Sequence, residues 1–410
     1  MTNRIDRLRP DAPALAAPGP HPVGVRQVTF TNRDQIDVLR AGDVPGVCDV
    51  TGACDVTGAC DVPGASATAL PRYDRALTVE VWYPAAEGTE PGTRYDTILR
   101  DGVLPIVLHG SACRDAAAAA GRFPLVLISH GYPGNRFLMS HLGENLASKG
   151  YVVASVDHRD SGYADKALFG STMINRPLDQ AFVIASLRTE APWAGMLTPE
   201  AAIVGYSMGG YGALVSGGAG VSQAAVATGE ASPRGLLARH RSGSEAHEAL
   251  IDPTVKAIVA FGPWGRQRGV WDAAGMAGLR KPTLIVAGSE DHVSGYADGM
   301  RVMFDEAAGC DRWLLTFDHA GHNAGAPIPP PEESWAPSPH LDFVPFQHYA
   351  DPVWDNVRMN NIAQHYLTAF LGRHLKGLDH ARHLDPDAGW PGFAEGTARG
   401  LRLEAKARGQ

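Results

Sequence analysis

The chain has 410 residues, of which 44% are hydrophobic and 20% charged, and its formal net charge is −8. That length and apolar fraction support a sizeable core, in one large domain or two ordinary ones. The acidic balance argues against a nucleic-acid partner, which needs clustered Lys and Arg, and no apolar run approaches the roughly 20 residues of a membrane-spanning helix.

In chain order, residues 1–22 are rich in Pro and Ala and read as a loose N-terminal arm. They hold no continuous apolar stretch of the kind a secretory signal carries. A soluble cytoplasmic protein is therefore expected, with its five cysteines reduced. An odd count also argues against a disulfide framework. Val23–Thr31 and Ala76–Pro84 alternate as strands do. Between them, CDVTGACDVTGACDVPGA (Cys48–Ala65) is one hexapeptide written three times, with a looser copy in front, so that the repeat occupies residues 42–65. Gly, Asp, Thr and Pro form turns, and a loop lengthened by duplication is one reading. Thiolates at regular spacing holding zinc is the other, although C-x5-C-x5-C lacks the close pairing of zinc knuckles.

From Phe123 the rhythm changes. FPLVLISHG, YVVASVD, AAIVGYS, VKAIVAFG, KPTLIVAG and RWLLTFD are near-continuous apolar runs, the pattern of strands buried on both faces of a parallel sheet. Segments between them can hold helices, and Pro352–Gly377 should be the last. The alternation predicts an α/β fold, a mostly parallel central sheet with helices on both faces, over residues 23–377. An earlier run, LPIVLHGSA (Leu104–Ala112), lacks the helix-and-strand sequel and reads as lead-in. Two long segments, 221–253 and 326–352, interrupt the rhythm and are expected to border the substrate pocket. Residues 378–410 read as a C-terminal tail.

GYSMGG (Gly205–Gly210) places G-x-S-x-G between a buried strand and a glycine-rich helix. In that setting a serine is held on a strained turn with its hydroxyl exposed, which makes Ser207 the candidate nucleophile. A serine hydroxyl needs a base, and the base an orienting acid, in the chain order Ser, acid, His. Asp291 follows one strand end and His322 the next, so the order is satisfied. Glu290 and His319 are their rivals, and His292 is assigned to the rim. The amides of Met208, after the nucleophile, and of Tyr132, after the first buried run, are expected to form the oxyanion hole. Asp157, His158 and Arg159 read as a structural ion pair, because the triad is already filled.

Together, FPLVLISHGYPGNR, VVASVDHRDSG, RPLDQAFVIASL, GYSMGGYGAL, KPTLIVAGSEDHV and DHAGHN resemble the α/β-hydrolases. Within them the chain is similar to the dienelactone-hydrolase and platelet-activating-factor-acetylhydrolase-like serine esterases. Dienelactone hydrolases use a cysteine where this chain has Ser207. Platelet-activating-factor acetylhydrolases carry their acid after the strand that here reads AIVAFGPW. The matching position is Gly262, which favours Asp291 and weakens a phospholipid substrate. Similarity to bacterial cutinases and polyester hydrolases implies that Trp264 stacks on the acyl part of the substrate; packing at a strand end is the alternative. The expected activity is hydrolysis of a small-molecule carboxylic ester through an acyl-enzyme, needing no metal or organic cofactor. The same triad could cleave an amide or lactone. A non-catalytic hydrolase-fold binding protein is the rival from another class.

Overall fold

The computed structural model describes residues 2–41, 70–228 and 233–410. The hexapeptide repeat, with Cys48, Cys54 and Cys60, lies outside the described residues. Two long strands come first, β1 (Val23–Ile36) and β2 (Arg72–Pro84), antiparallel in register from Val23↔Pro84 to Ile36↔Arg72. A separate hairpin follows, β3 (Thr93–Ile98) and β4 (Pro105–Gly110), then the short β5 (Cys113–Arg114). The six apolar runs form β6 (Phe123–Ser129), β7 (Val152–Asp157), β8 (Leu197–Tyr206), β9 (Val255–Phe261), β10 (Thr283–Gly288) and β11 (Arg312–Phe317), each parallel to its neighbours among them. A last strand, β12 (Leu401–Lys406), pairs antiparallel with β11. One sheet of ten strands results, in the order β12-β11-β10-β9-β8-β6-β7-β2-β1-β5.

The apolar runs are continuous because both faces of the sheet are covered. Side chains alternate between faces along a strand. Val126 and Ile128 of β6 join one core, under α1 (Ser140–Ser148) and α4 (Asn356–Lys376). Leu125 and Leu127 join the other, under α2 (Phe169–Thr189) and α3 (Met208–Ser216). Pro177 lies inside α2 and offers no N–H, which leaves the carbonyl of Met173 without its helical donor. The Tyr211 hydroxyl of α3 fills that place at 3.0 Å, tying the two helices together. β6 lies between β7 and β8, so the chain order reverses there. In open α/β sheets the carboxyl ends of the strands at such a reversal form a crevice.

Two sequence expectations are corrected. The N-terminal arm is packed, not loose: Ile5 and His109 of β4 hydrogen-bond at 2.9 Å, Ile5 is 2% exposed, and Leu15 and Ala16 accept hydrogen bonds from Lys149 and Asn145. Its Ala and Ile side chains have core to bury, which Pro-rich composition alone does not reveal. The C-terminal tail supplies β12, whose pairing satisfies the outer edge of β11. The run Leu104–Ala112, read as lead-in, contains β4, which pairs with β3 outside the main sheet. Among the described residues no helix is long and apolar enough to cross a membrane.

Candidate active site

Ser207 follows β8 and opens α3 with φ +53 and ψ −111, a backbone region that a side chain adopts only under strain. Its amide is fixed by the carbonyl of Phe261 at 2.8 Å. The tight turn depends on Gly209, where an added Cβ would lie 1.8 Å from the carbonyl oxygen of Ser129. The second glycine of the motif thus lets the nucleophile's helix touch the end of β6.

The His322 Nδ1 lies 2.8 Å from an Asp291 carboxylate oxygen. Asp291 is 2% exposed and also accepts from the amides of Val293 at 2.8 Å and Ser294 at 2.9 Å, so its orientation is set by the turn after β10. Gly262, at φ +46, faces this pair: a Cβ there would stand 3.1 Å from His322 Nδ1 and 3.3 Å from the Asp291 carboxylate. Position 262 and position 291 therefore converge on one imidazole, and here Asp291 occupies the space. The Tyr206 ring lies 5.1 Å from that of His322, and burial raises the Tyr206 pKa, with the Asp291 charge adding to it. Ser207, His322 and Tyr132 line one cavity of about 640 Å³. Among the described residues the Ser207 hydroxyl makes no hydrogen bond to His322; such contacts are often open in unliganded sites. Of the rivals, Glu290 is exposed at the mouth of the cavity beside His292, and His319 is exposed at φ +61 outside it.

A ferulic acid esterase from Streptomyces cinnamoneus superposes with a TM-score of 0.57 over 89% of this chain and 93% of that chain, at 20% sequence identity. The chain has the α/β-hydrolase fold. Residues 106–191 match the family model of platelet-activating factor acetylhydrolase, isoform II, a stretch that ends before Ser207. No curated protein matches the sequence.

In this fold the turn after β6 is held from behind. The buried Arg176 of α2 donates to the carbonyl of His130, to that of Gly131 at 3.3 Å and to Ser161 Oγ at 2.8 Å. His130 Nε2 accepts from the His158 amide at 3.1 Å, so the ring proton sits on Nδ1 and is donated to the Gly131 carbonyl at 2.7 Å. The Gly131 carbonyl and the Tyr132 N–H belong to one peptide unit. Two donors on that oxygen, one of them cationic, orient the unit and polarise its N–H. Among the described residues neither the Tyr132 nor the Met208 amide donates a hydrogen bond, so both are available.

A second Ser–His–Asp set lies beneath. His158 bonds Ser129 Oγ at 2.8 Å and the Asp179 carboxylate at 3.0 Å, and Asp179 is clamped by Arg75 at 2.7 Å. Burial, reinforced by the Arg176 charge, pushes the His158 pKa down to about 3. Burial favours the neutral acid at Asp179, but Arg75 and His158 outweigh it and bring that carboxyl down to about 2. Ser129 is 0% exposed, so no substrate reaches it, and the set is structural. The structural role expected for His158 is present, but its partner is Asp179; Asp157 pairs with Arg136.

Trp264 is not among the residues lining the cavity. Its ring meets Phe169 edge-on at 4.8 Å, and Phe169 in turn meets Tyr132 at 5.1 Å, which is packing behind the turn after β6. The two long segments also part company. Described residues of 221–253 pack against α2 and α3, with His240 bonding the Ile174 carbonyl at 2.8 Å and His247 that of Val215 at 3.0 Å, and none lines the cavity. Segment 326–352 does line it, through Phe343, Gln347, His348 and Ala350. Arg100, in the turn between β3 and β4, also lines the cavity, and the sequence reading left it out. Only the pairing of a lead-in run with an earlier strand would have brought it forward.

Proposed function

We propose that this protein hydrolyses a carboxylic ester through an acyl-enzyme, with Ser207 as nucleophile, His322 as proton carrier and Asp291 as its orienting acid. The observation that carries the reading is the His322–Asp291 contact of 2.8 Å beside a serine on a strained turn, in one cavity. Both comparisons bear names of ester-cleaving enzymes, which favours an ester over an amide.

Asp291 takes the Nδ1 proton of His322 as a hydrogen bond, leaving Nε2 free to accept. His322 removes the proton of Ser207 as Oγ attacks the carbonyl carbon. The carbonyl electrons move onto oxygen, where the Tyr132 and Met208 amides receive them. The tetrahedral centre collapses, the bond to the alcohol oxygen breaks, and His322 returns the proton to that alcohol. Water then repeats the sequence on the acyl-serine and releases the acid. A cavity of about 640 Å³ holds a small ester rather than a two-chain lipid.

The test is turnover of p-nitrophenyl esters from acetate to decanoate, with Ser207→Ala as the blank. Serine-dependent turnover strongest at short chains is expected, together with labelling of Ser207 by a fluorophosphonate. Equal turnover by Ser207→Ala, or folded protein that neither turns over ester nor takes the label, refutes the reading.

A further inference from the structure

The neighbours of the candidate nucleophile and of the candidate base hydrogen-bond each other. Tyr206 directly precedes Ser207, Asn323 directly follows His322, and the Tyr206 hydroxyl donates to Asn323 Oδ1 at 2.9 Å. Both residues line the catalytic cavity. The ester mechanism gives this bond no task.

The direction of the bond is fixed. The Asn323 side-chain nitrogen donates to the carbonyl of Gln347 at 2.9 Å and to that of Ala350 at 2.6 Å, which uses both its protons. Oδ1 is therefore the end that meets Tyr206, and the phenol is the donor. Burial, with the Asp291 charge adding to it, keeps that phenol protonated. Tyr206 is 3% exposed, and its ring is close to both the turn after β6 and the imidazole. A Cβ on Gly131 would stand 3.3 Å from the ring, and the His322 ring is 5.1 Å away.

Asp291 holds the imidazole at Nδ1 alone. That bond sets the tautomer, but a ring held at one atom can swing about it, so the distance from Nε2 to the Ser207 hydroxyl needs a second constraint. The Tyr206–Asn323 bond supplies one, because it joins the residues next to both reacting side chains. Proton transfer depends steeply on that distance, and a displacement of about 1 Å costs about 100-fold in rate.

We propose that Tyr206 and Asn323 are positioning residues, a latch that sets the gap between Ser207 and His322. This rests on Ser207 and His322 working as nucleophile and base. It gives the tyrosine of the GYSMGG turn a role beyond packing. It also makes the cavity wall at Gln347 and Ala350 part of the same chain of bonds.

The variants that test it are Tyr206→Phe, which keeps the ring and removes the hydroxyl, Asn323→Ala, at a half-buried position where water can replace the amide, and the two combined. On a short-chain p-nitrophenyl ester each single variant should lower kcat by about 10- to 100-fold with KM little changed. The rate at which a fluorophosphonate labels Ser207 should fall in step. The double variant should be no slower than the slower single one, because both changes remove the same bond. A third readout needs no turnover. The His322 Nδ1 proton, identified by proton NMR through its absence in His322→Gln, should exchange with water faster in both single variants. Circular dichroism shows that each variant is folded. The inference is overturned when folded Tyr206→Phe keeps the wild-type kcat, labelling rate and proton exchange, even with a lowered melting temperature, or when the two single losses multiply in the double variant. If the wild type neither turns over ester nor takes the label, the ester reading fails, and proton exchange alone decides the latch: faster exchange upholds it, and unchanged exchange overturns it.

Discussion

Acidification should unfold this protein well above the range in which carboxylates titrate. His141, His240 and His365 are 1%, 1% and 0% exposed, and burial pushes the pKa of each down to about 3. His240 is bonded to the Ile174 carbonyl, and His365 Nδ1 accepts from the Leu15 amide at 3.2 Å. Unfolded histidines titrate near about 6.5. Between those values the unfolded chain binds protons that the folded chain refuses, so stability is complete above the unfolded pKa and falls as pH drops. At about pH 5 each ring costs about 1.5 pKa units, or about 2 kcal/mol, and the three cost about 6 kcal/mol. That is comparable to the whole stability of a typical domain, about 5–15 kcal/mol. Urea unfolding followed by circular dichroism at steps from pH 7.5 to pH 5 should show a steep loss of stability. His240→Gln, which keeps a polar group and cannot titrate, should reduce the slope by the share of one proton. Stability that stays flat across this range would refute the reasoning, because the buried rings would then have to accept protons in place.

Three other outcomes follow from the site. Asp291→Asn should keep the fold and lower kcat by about 10³- to 10⁴-fold, with KM little changed, as measured on a short-chain p-nitrophenyl ester. Gly209→Ala drives a methyl group into the Ser129 carbonyl and should destabilise the protein by about 1–3 kcal/mol or more, read from its melting temperature. Arg176→Lys should weaken the hold on the Gly131–Tyr132 peptide: kcat falls, KM stays, and affinity for a tetrahedral-intermediate mimic such as a boronic acid drops in proportion to kcat. A kcat loss without a loss of mimic affinity would assign Arg176 to structure alone.

The parallel strands were legible because burial on both faces leaves an uninterrupted apolar run, and β6 to β11 fall within a residue or two of those runs at one end or both, β8 starting earlier. The placement of the candidates Ser207, Asp291 and His322 just past the ends of β8, β10 and β11 was legible because local sequence dictates where a strand stops. The walls of the cavity were legible only in part: segment 326–352 was expected there and lines it, whereas segment 221–253 does not and Arg100 went unread. Arg100 and Phe343 meet across more than 200 residues, and nothing local records that a hairpin turn and a Pro-rich loop face each other. Trp264 was left between two readings for a related reason: an aromatic at a strand end serves a pocket or a core equally well, and the neighbour it packs on, Phe169, comes from another element. β12 escaped notice because an edge strand has one covered face and a short, charged sequence, LRLEAK.

The position of β12 also anchors the root of the loop that carries His322. The loop that carries His322 leaves β11 at Asp318, whose amide bonds Gly400 at 2.8 Å, whose carbonyl accepts from Trp354 and whose carboxylate pairs with Arg402 at 2.7 Å. The tip of the same loop is held from elsewhere: His322 by Asp291, Gly321 by Asp351 and Asn323 by Tyr206, Gln347 and Ala350. The loop is thus moored at two levels, its root on the sheet's outer edge and its tip inside the cavity, so that a change confined to the C-terminal strand reaches the imidazole through the loop's root while the tip keeps its own anchors.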